Sequence, residues 1–158
     1  MRNIVMARVD ERLIHGQVMT SWLKLTDANV ILVIDGPSAT NAFLKRILFA
    51  AAPKSITLHV MTEEDAAAFL KEDAPEGERV FVLTKTPGPM LKMVKSGIEL
   101  SEVILGNMGG AAGRKRFNKS ISASDAEIQD FRDLVASGVS VYCQMVPTDA
   151  KENIKKLL

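Results

Sequence analysis

Cysteine is almost absent from this 158-residue chain, Cys143 being the only one. A single thiol excludes an intrachain disulfide, a cysteine framework and a cysteine-rich zinc site, and it fits a reducing cytoplasm best. Histidine is nearly as scarce: His15 and His59 stand far apart, without the His-x-x-x-His spacing of a helical metal site. Neither a metal nor another cofactor is expected. An excess of one charge is lacking too, because 20 Lys+Arg face 19 Asp+Glu, which removes the bulk electrostatic pull toward nucleic acid. No stretch approaches the roughly 18 unbroken apolar residues of a membrane span, and the apolar run within Met1 to Arg8 is too short for a signal peptide. Any membrane role is therefore expected to be peripheral. Linkers rich in proline or serine, low-complexity tracts and internal repeats are also missing, so residues 1–158 are expected to form one domain.

What is present is a regular alternation. Short apolar, β-branched runs recur at Asn3 to Ala7, Asn29 to Ile34, Ser55 to Val60, Arg79 to Leu83, Glu102 to Leu105 and Val139 to Cys143, and they read as buried strands. Between them lie segments with helical spacing, such as Val18, Trp22 and Leu25, or Phe43, Leu44, Ile47 and Leu48. Each would turn one apolar face toward a sheet. Thr62 with Asp65, Ser124 with Glu127, and Thr86 before Pro87 mark helix starts, while Gly97 and Gly138 mark helix ends. Strands alternating with helices imply parallel β-α-β units. The expected class is α/β: an open, mostly parallel β-sheet flanked by helices on both faces.

The first strand-to-helix connection, Arg8 to Gly16, is where chemistry concentrates. It lies at the carboxyl ends of the strands, the edge that open α/β sheets use for ligands. Its nine residues exceed the usual span of about two to six. A neutral imidazole can attack phosphorus and form a phosphohistidine, a transfer that asks mainly for in-line placement and charge stabilisation on the equatorial oxygens. Arg8 and Arg12 supply forked donors, and Asp10 could hold an arginine or orient the ring. Gly16 removes a side chain beside His15, which would let a bulky donor approach closely, and the free N–H groups of the helix opening near Gln17 favour an anion. Composition alone leaves open that His15 is an ordinary surface or packing histidine. No Gly-x-Ser-x-Gly elbow favours a Ser/His/Asp triad.

The run Arg8-Val9-Asp10-Glu11-Arg12-Leu13-Ile14-His15-Gly16-Gln17-Val18 closely resembles the phosphorylation loop of the IIB components of the phosphoenolpyruvate-dependent sugar phosphotransferase system (PTS), in the mannose/fructose/sorbose branch. The resemblance continues through Val33-Ile34-Asp35, Lys85-Thr86-Pro87, Gly106-Asn107-Met108 and Gln144-Met145-Val146-Pro147, each placed after a strand. It implies a phosphoryl carrier and a protein-Nπ-phosphohistidine–sugar phosphotransferase. Such a carrier takes its group from the phosphohistidine of a IIA domain and passes it to a sugar held by membrane IIC and IID components. On that resemblance His15 is the carrier, phosphorylated on Nδ1, and Arg12 its charge partner. Arg8, Asp10, Gly16 and Gln17 support them, and Asn107 and Met108 lie beside the loop. A non-catalytic anion-binding or regulatory module of the same fold is the alternative.

Three further features have bland and sharp readings. Gly106 to Arg116 fits neither a nucleotide loop nor a dinucleotide fingerprint, and its Gly109 to Arg116 part departs from the family pattern, where a histidine or aromatic residue often follows the methionine. Arg114-Lys115-Arg116 reads as a solvated surface run, with docking to an acidic partner as the alternative. A nucleic-acid role for this run lacks interleaved aromatics. His59, in an alternating strand, reads as an edge or outward-facing residue, and Trp22 and the methionines as core or interface filling.

Overall fold

The computed structural model describes residues 1–116 and 118–158, apart from the side chains of Gln17 and Val18. Seven strands form one sheet: β1 (Ile4–Asp10), β2 (Val30–Ile34), β3 (Thr57–Met61), β4 (Val80–Thr84), β5 (Glu102–Asn107), β8 (Ser140–Cys143) and β9 (Glu152–Asn153), in the order β3-β2-β4-β1-β5-β8-β9. All neighbours are parallel except β8 and β9, which run antiparallel. A separate two-stranded hairpin pairs β6 (Lys115–Arg116) with β7 (Ser122–Ala123). The hairpin, β9 and a short helix, α2 (Gly36–Thr40), are elements the apolar pattern does not announce.

The centre of the sheet follows from the longest apolar runs. Val30 to Ile34 and Val80 to Thr84 are buried throughout, as expected of parallel strands covered on both faces. Along β2, Val30, Leu32 and Ile34 belong to one core, with Phe69 and Leu70 of α4 (Glu63–Lys71), Met90 of α5 (Pro87–Lys95) and Phe131 of α6 (Asp125–Ala136). Ile31 and Val33 belong to the other, with Met19, Trp22 and Leu23 of α1 (Gly16–Thr26) and Leu48 of α3 (Ala42–Ala51). The two-fold alternation of a strand thus serves two helical layers at once.

Helix ends match the expected chemistry. Thr62 accepts from Asp65 N, Ser124 and Glu127 form a full capping box, and Pro87 opens α5, where Thr86 caps without a side-chain hydrogen bond. Gly97 and Gly138 take the left-handed conformation that closes α5 and α6.

Two helical faces differ from the spacing argument. Phe43 and Ile47 are at least half exposed and Leu44 is exposed as well, so only Leu48 of that set turns inward. Ala39, Ala52 and Ile56 fill the sheet side beside Leu48, which leaves the others outward. In α1 the buried stripe is Met19, Trp22 and Leu23, while Leu25 faces solvent.

β1 also runs three residues past the expected end. Arg8, Val9 and Asp10 are strand, and the connection shortens to residues 11–15. That is an ordinary length for a strand-to-helix loop, so loop length carries no argument. The connection turns toward the α1 face, whereas the connections after β4 and β5 lead to α5 and α6 on the opposite face. The connections thus diverge to opposite faces at the carboxyl ends of the central strands, the position where open α/β sheets place their ligand sites.

Candidate active site

Arg8 and Asp10 are two apart on β1 and share the face that meets α1. Both are essentially buried. Arg8 donates through Nη1 to the Gln144 carbonyl at 2.9 Å and through Nη2 to the Met145 carbonyl at 2.7 Å, and Nη2 lies 3.4 Å from Asp10 Oδ2. Its guanidinium stacks on the Trp22 ring, 4.7 Å from the centroid, and Trp22 Nε1 donates to the same Met145 carbonyl at 3.0 Å. Burial pushes Arg8 down to about 10, against the opposing pull of Asp10, which leaves it cationic at neutral pH. Gly106 makes room for this: a Cβ there would fall 2.0 Å from Arg8 Nη2. Arg8 is therefore a buried brace between β1 and the chain leaving β8. The expectation of a loop arginine open to phosphate is corrected, because its donors are already committed inside the protein.

Asp10 is the hub. Its Oδ1 accepts from Arg12 N at 3.1 Å and Arg12 Nε at 3.0 Å, and its Oδ2 accepts from Arg12 Nη2 at 2.9 Å and faces His15 Nε2 at 3.3 Å. Burial would raise the Asp10 pKa. The hydrogen bonds from the Arg12 side chain and backbone, with the charges of Arg12 and Arg8, outweigh it and hold the carboxyl below its usual range. Arg12 is correspondingly raised, chiefly by its bond to Asp10. Its side chain remains 37% exposed, so the outer part of the fork still meets solvent.

His15 caps α1 from an extended conformation, without a side-chain capping bond, and its side chain is 22% exposed. The loop that holds it is tight. Leu13 N donates to the Asp10 carbonyl at 2.9 Å, Leu13 adopts a left-handed φ of 56°, and the Leu13 and Ile14 side chains are buried. Gly16 follows with φ 44°, and a Cβ there would meet nothing within 4 Å. A glycine there serves backbone conformation, and the space beside it is open.

The chain after β5 lies alongside. Glu11 N donates to the Asn107 carbonyl at 3.1 Å, so Asn107 reaches the loop through its backbone. Met108 is fully buried in the core, donating its backbone N–H to the Ser120 carbonyl and accepting from Ser122 N. Arg114 is no solvated cation either: it is paired with Glu11 and Glu127, whereas Lys115 and Arg116 of the same run are exposed. The structure thus brings together His15, Arg12 and Asp10, with Arg8 beneath them. The expectation for Gln17 falls on a side chain outside the described residues. Sequence reasoning missed Glu11, Gly106, Arg114 and the bracing role of Trp22. The only signal for the carbonyls that hold Arg8 was the resemblance at Gln144 and Met145.

His59 sits on the edge strand β3, as expected, its ring tilted against Phe69 with 4.9 Å between centroids. Burial first, then the charge of Arg2, lowers its pKa against the opposing influence of Glu78. Cys143 is buried and free, its thiol pushed up to about 11 by burial.

A doubly wound sheet with a histidine loop at the carboxyl edge of its central strands is an architecture for handling an anionic group, and comparison with known proteins makes the class specific. The family model for the PTS sorbose-subfamily IIB component matches residues 4–158. The chain is 32% identical over 158 residues to the N-acetylgalactosamine-specific phosphotransferase enzyme IIB component 2 of Escherichia coli (strain K12), covering all of both chains. It is 32% identical over 155 residues to the mannose-specific EIIAB component of the same strain, matching 98% of this chain and 48% of that protein. The crystal structure of the IIBSor domain of the sorbose permease from Klebsiella pneumoniae superposes with a TM-score of 0.92 at 33% identity, covering 98% of this chain and 94% of that one. The chain belongs to the sorbose-type IIB family of the phosphotransferase system, whose members are phosphoryl-transfer subunits for sugar uptake. A non-catalytic anion-binding module is not favoured.

Proposed function

We propose that His15 carries the phosphoryl group on Nδ1, receiving it from the phosphohistidine of a IIA domain and passing it to a sugar held by membrane IIC and IID components. The observation that carries this reading is the Asp10 contact to the Nε2 side of the ring. A carboxylate there holds the Nε2 proton and leaves the lone pair on Nδ1. That lone pair attacks phosphorus, the N–P bond of the donor histidine breaks, and the donor imidazole leaves with the electron pair. In the second half a sugar hydroxyl oxygen attacks the same phosphorus, the bond to His15 Nδ1 breaks, and the hydroxyl proton is released.

Arg12 stabilises charge on the equatorial oxygens, since its exposed fork sits beside the ring on the same carboxylate. The opening turn of α1 contributes a favourable N-terminal dipole. Arg8 and Asp10 position these groups from below. The IIA partnership is supported by the mannose-specific relative, an EIIAB component whose name joins A and B. The acceptor belongs to the class of hexoses and N-acetylated amino sugars for which the relatives are named. We take residues 1–158 as one IIB domain that works at the cytoplasmic face of the permease, with the activity of a protein-Nπ-phosphohistidine–sugar phosphotransferase. Among the described residues no helix is long and apolar enough to cross a membrane.

The test supplies phosphoenolpyruvate, the two general phosphotransfer proteins and a cognate IIA domain, and looks for acid-labile phosphate on this chain. Wild type and His59→Ala should label and His15→Ala should not, and nitrogen-15 NMR should place the phosphate on Nδ1. An unlabelled wild type, or equal labelling of His15→Ala, defeats the proposal.

A further inference from the structure

We infer that Arg114 is a positioning residue for phosphoryl transfer, one that holds and neutralises the Glu11 carboxylate beside the His15 loop. The inference rests on the reading of His15 as the carrier. Glu11 stands between the two residues that do most at the site, Asp10 and Arg12, on the same short loop as His15. Its side chain is fully engaged: Oε1 accepts from Gly109 N at 2.7 Å and Oε2 from Arg114 Nη1 at 2.9 Å. Arg114 in turn donates through Nε and Nη2 to the two carboxylate oxygens of Glu127, each at 2.9 Å, and through Nη1 to the Gly109 carbonyl at 2.9 Å. Glu127 is the third residue of α6 and already closes its capping box with Ser124. A continuous chain of charged contacts therefore runs from a helix end, through Arg114, to the histidine loop.

The charges explain why an arginine is needed there. Arg8 and Arg12 lie about Asp10, and Arg114 lies between Glu11 and Glu127. Three cations thus face three carboxylates before any phosphoryl group arrives. A phosphoryl group brings close to two further negative charges. An unpaired Glu11 carboxylate on the same loop would repel it, and the repulsion would grow as charge spreads over the equatorial oxygens in the transition state. Arg114 and Glu127 are only slightly exposed, whereas a third of the Glu11 side chain meets solvent, so an unpaired Glu11 charge acts on the loop and is open to screening by salt. The fork shape matters as well: one guanidinium spans two carboxylates and a carbonyl, which an ammonium does less completely.

The test measures the rate of phosphoryl transfer from phosphorylated IIA to the full chain by rapid quench, at low and high ionic strength. The proteins are wild type, Arg114→Gln, Arg114→Lys and the pair Glu11→Gln with Arg114→Gln, each checked by thermal unfolding. Arg114→Gln should slow transfer by about tenfold at low salt, with a smaller defect at high salt. Arg114→Lys should recover most of the rate, and the double variant should return to within about threefold of wild type because the carboxylate on the histidine loop is gone, even though Glu127 also loses its arginine. Wild-type rates for Arg114→Gln, or a salt-independent defect that the double variant does not relieve, overturn the inference. If Arg114→Gln does not fold, Arg114→Lys and the double variant decide, and a slow double variant that is folded overturns it. An unlabelled wild type would instead defeat the carrier reading itself.

Discussion

The chain has two histidines, and their surroundings differ in every respect that matters for reactivity. His15 lies at the carboxyl edge of the central strands with a buried carboxylate on one ring nitrogen and an arginine on the same carboxylate. His59 lies within the edge strand β3, against the Phe69 ring, where burial disfavours its charged form. On the reading of His15 as the carrier, what separates the two is the group that holds the second ring nitrogen. A position on the sheet edge is not enough.

The sharpest way to break the contrast is Asp10→Asn. An amide cannot accept from Arg12 on both sides while fixing the His15 tautomer, so transfer should fall by about a hundredfold or more. Loss of the counter-charge to buried Arg8 should also destabilise the fold by roughly 3 kcal/mol, read from denaturant unfolding. Next comes Gly106→Ala, in which a methyl group must displace a guanidinium that is stacked and hydrogen-bonded. A cost of about 2 kcal/mol is expected, together with slower transfer because the support beneath Asp10 shifts. Arg12→Ala should slow transfer by about tenfold and cost about 1–2 kcal/mol in unfolding, since the side chain is partly exposed but its hydrogen bonds offset the burial of Asp10. Unchanged kinetics would remove Arg12 from the mechanism.

The smallest effect concerns His59 and its pH dependence. Its folded-state pKa is depressed, so the unfolded chain binds the proton more readily. The contribution to stability is complete above the usual histidine range and is lost as pH falls through the depressed folded value. His59→Gln should flatten the wild-type decline on the acid side of neutrality by less than about 1 kcal/mol, measured as the midpoint of thermal unfolding against pH. Asp10 and Glu127, also depressed, act lower, where pH falls through and below the ordinary carboxylate range. The two windows can therefore be separated in one titration.

How much of this was legible depended on the range of the interaction. The caps at Thr62 and Ser124 were readable because donor and acceptor are three residues apart. The central strands were readable because burial on both faces leaves an unbroken apolar run. The end of β1 was not, since Arg8 and Asp10 resemble loop residues until partners from Gln144 and Met145, more than a hundred positions away, are folded onto them. Arg114 was misread for the same reason: among two neighbouring cations it looks solvated, and nothing local predicts that Glu11 and Glu127 will meet it. The loop histidine itself stood out through its motif, while the chemistry of its two nitrogens appeared only once Asp10 was placed beneath it.

Leu13 gives the site a mechanical character. It takes a left-handed backbone that a branched side chain resists, and it does so with that side chain sealed in the core between Arg12 and Ile14. The loop behaves as a sprung clip. Its shape is set by the hydrophobic interior, where Leu13 and Ile14 are buried. A glycine at position 13 would relax the backbone and release the clip, so thermal stability and turnover need not move together under substitution there.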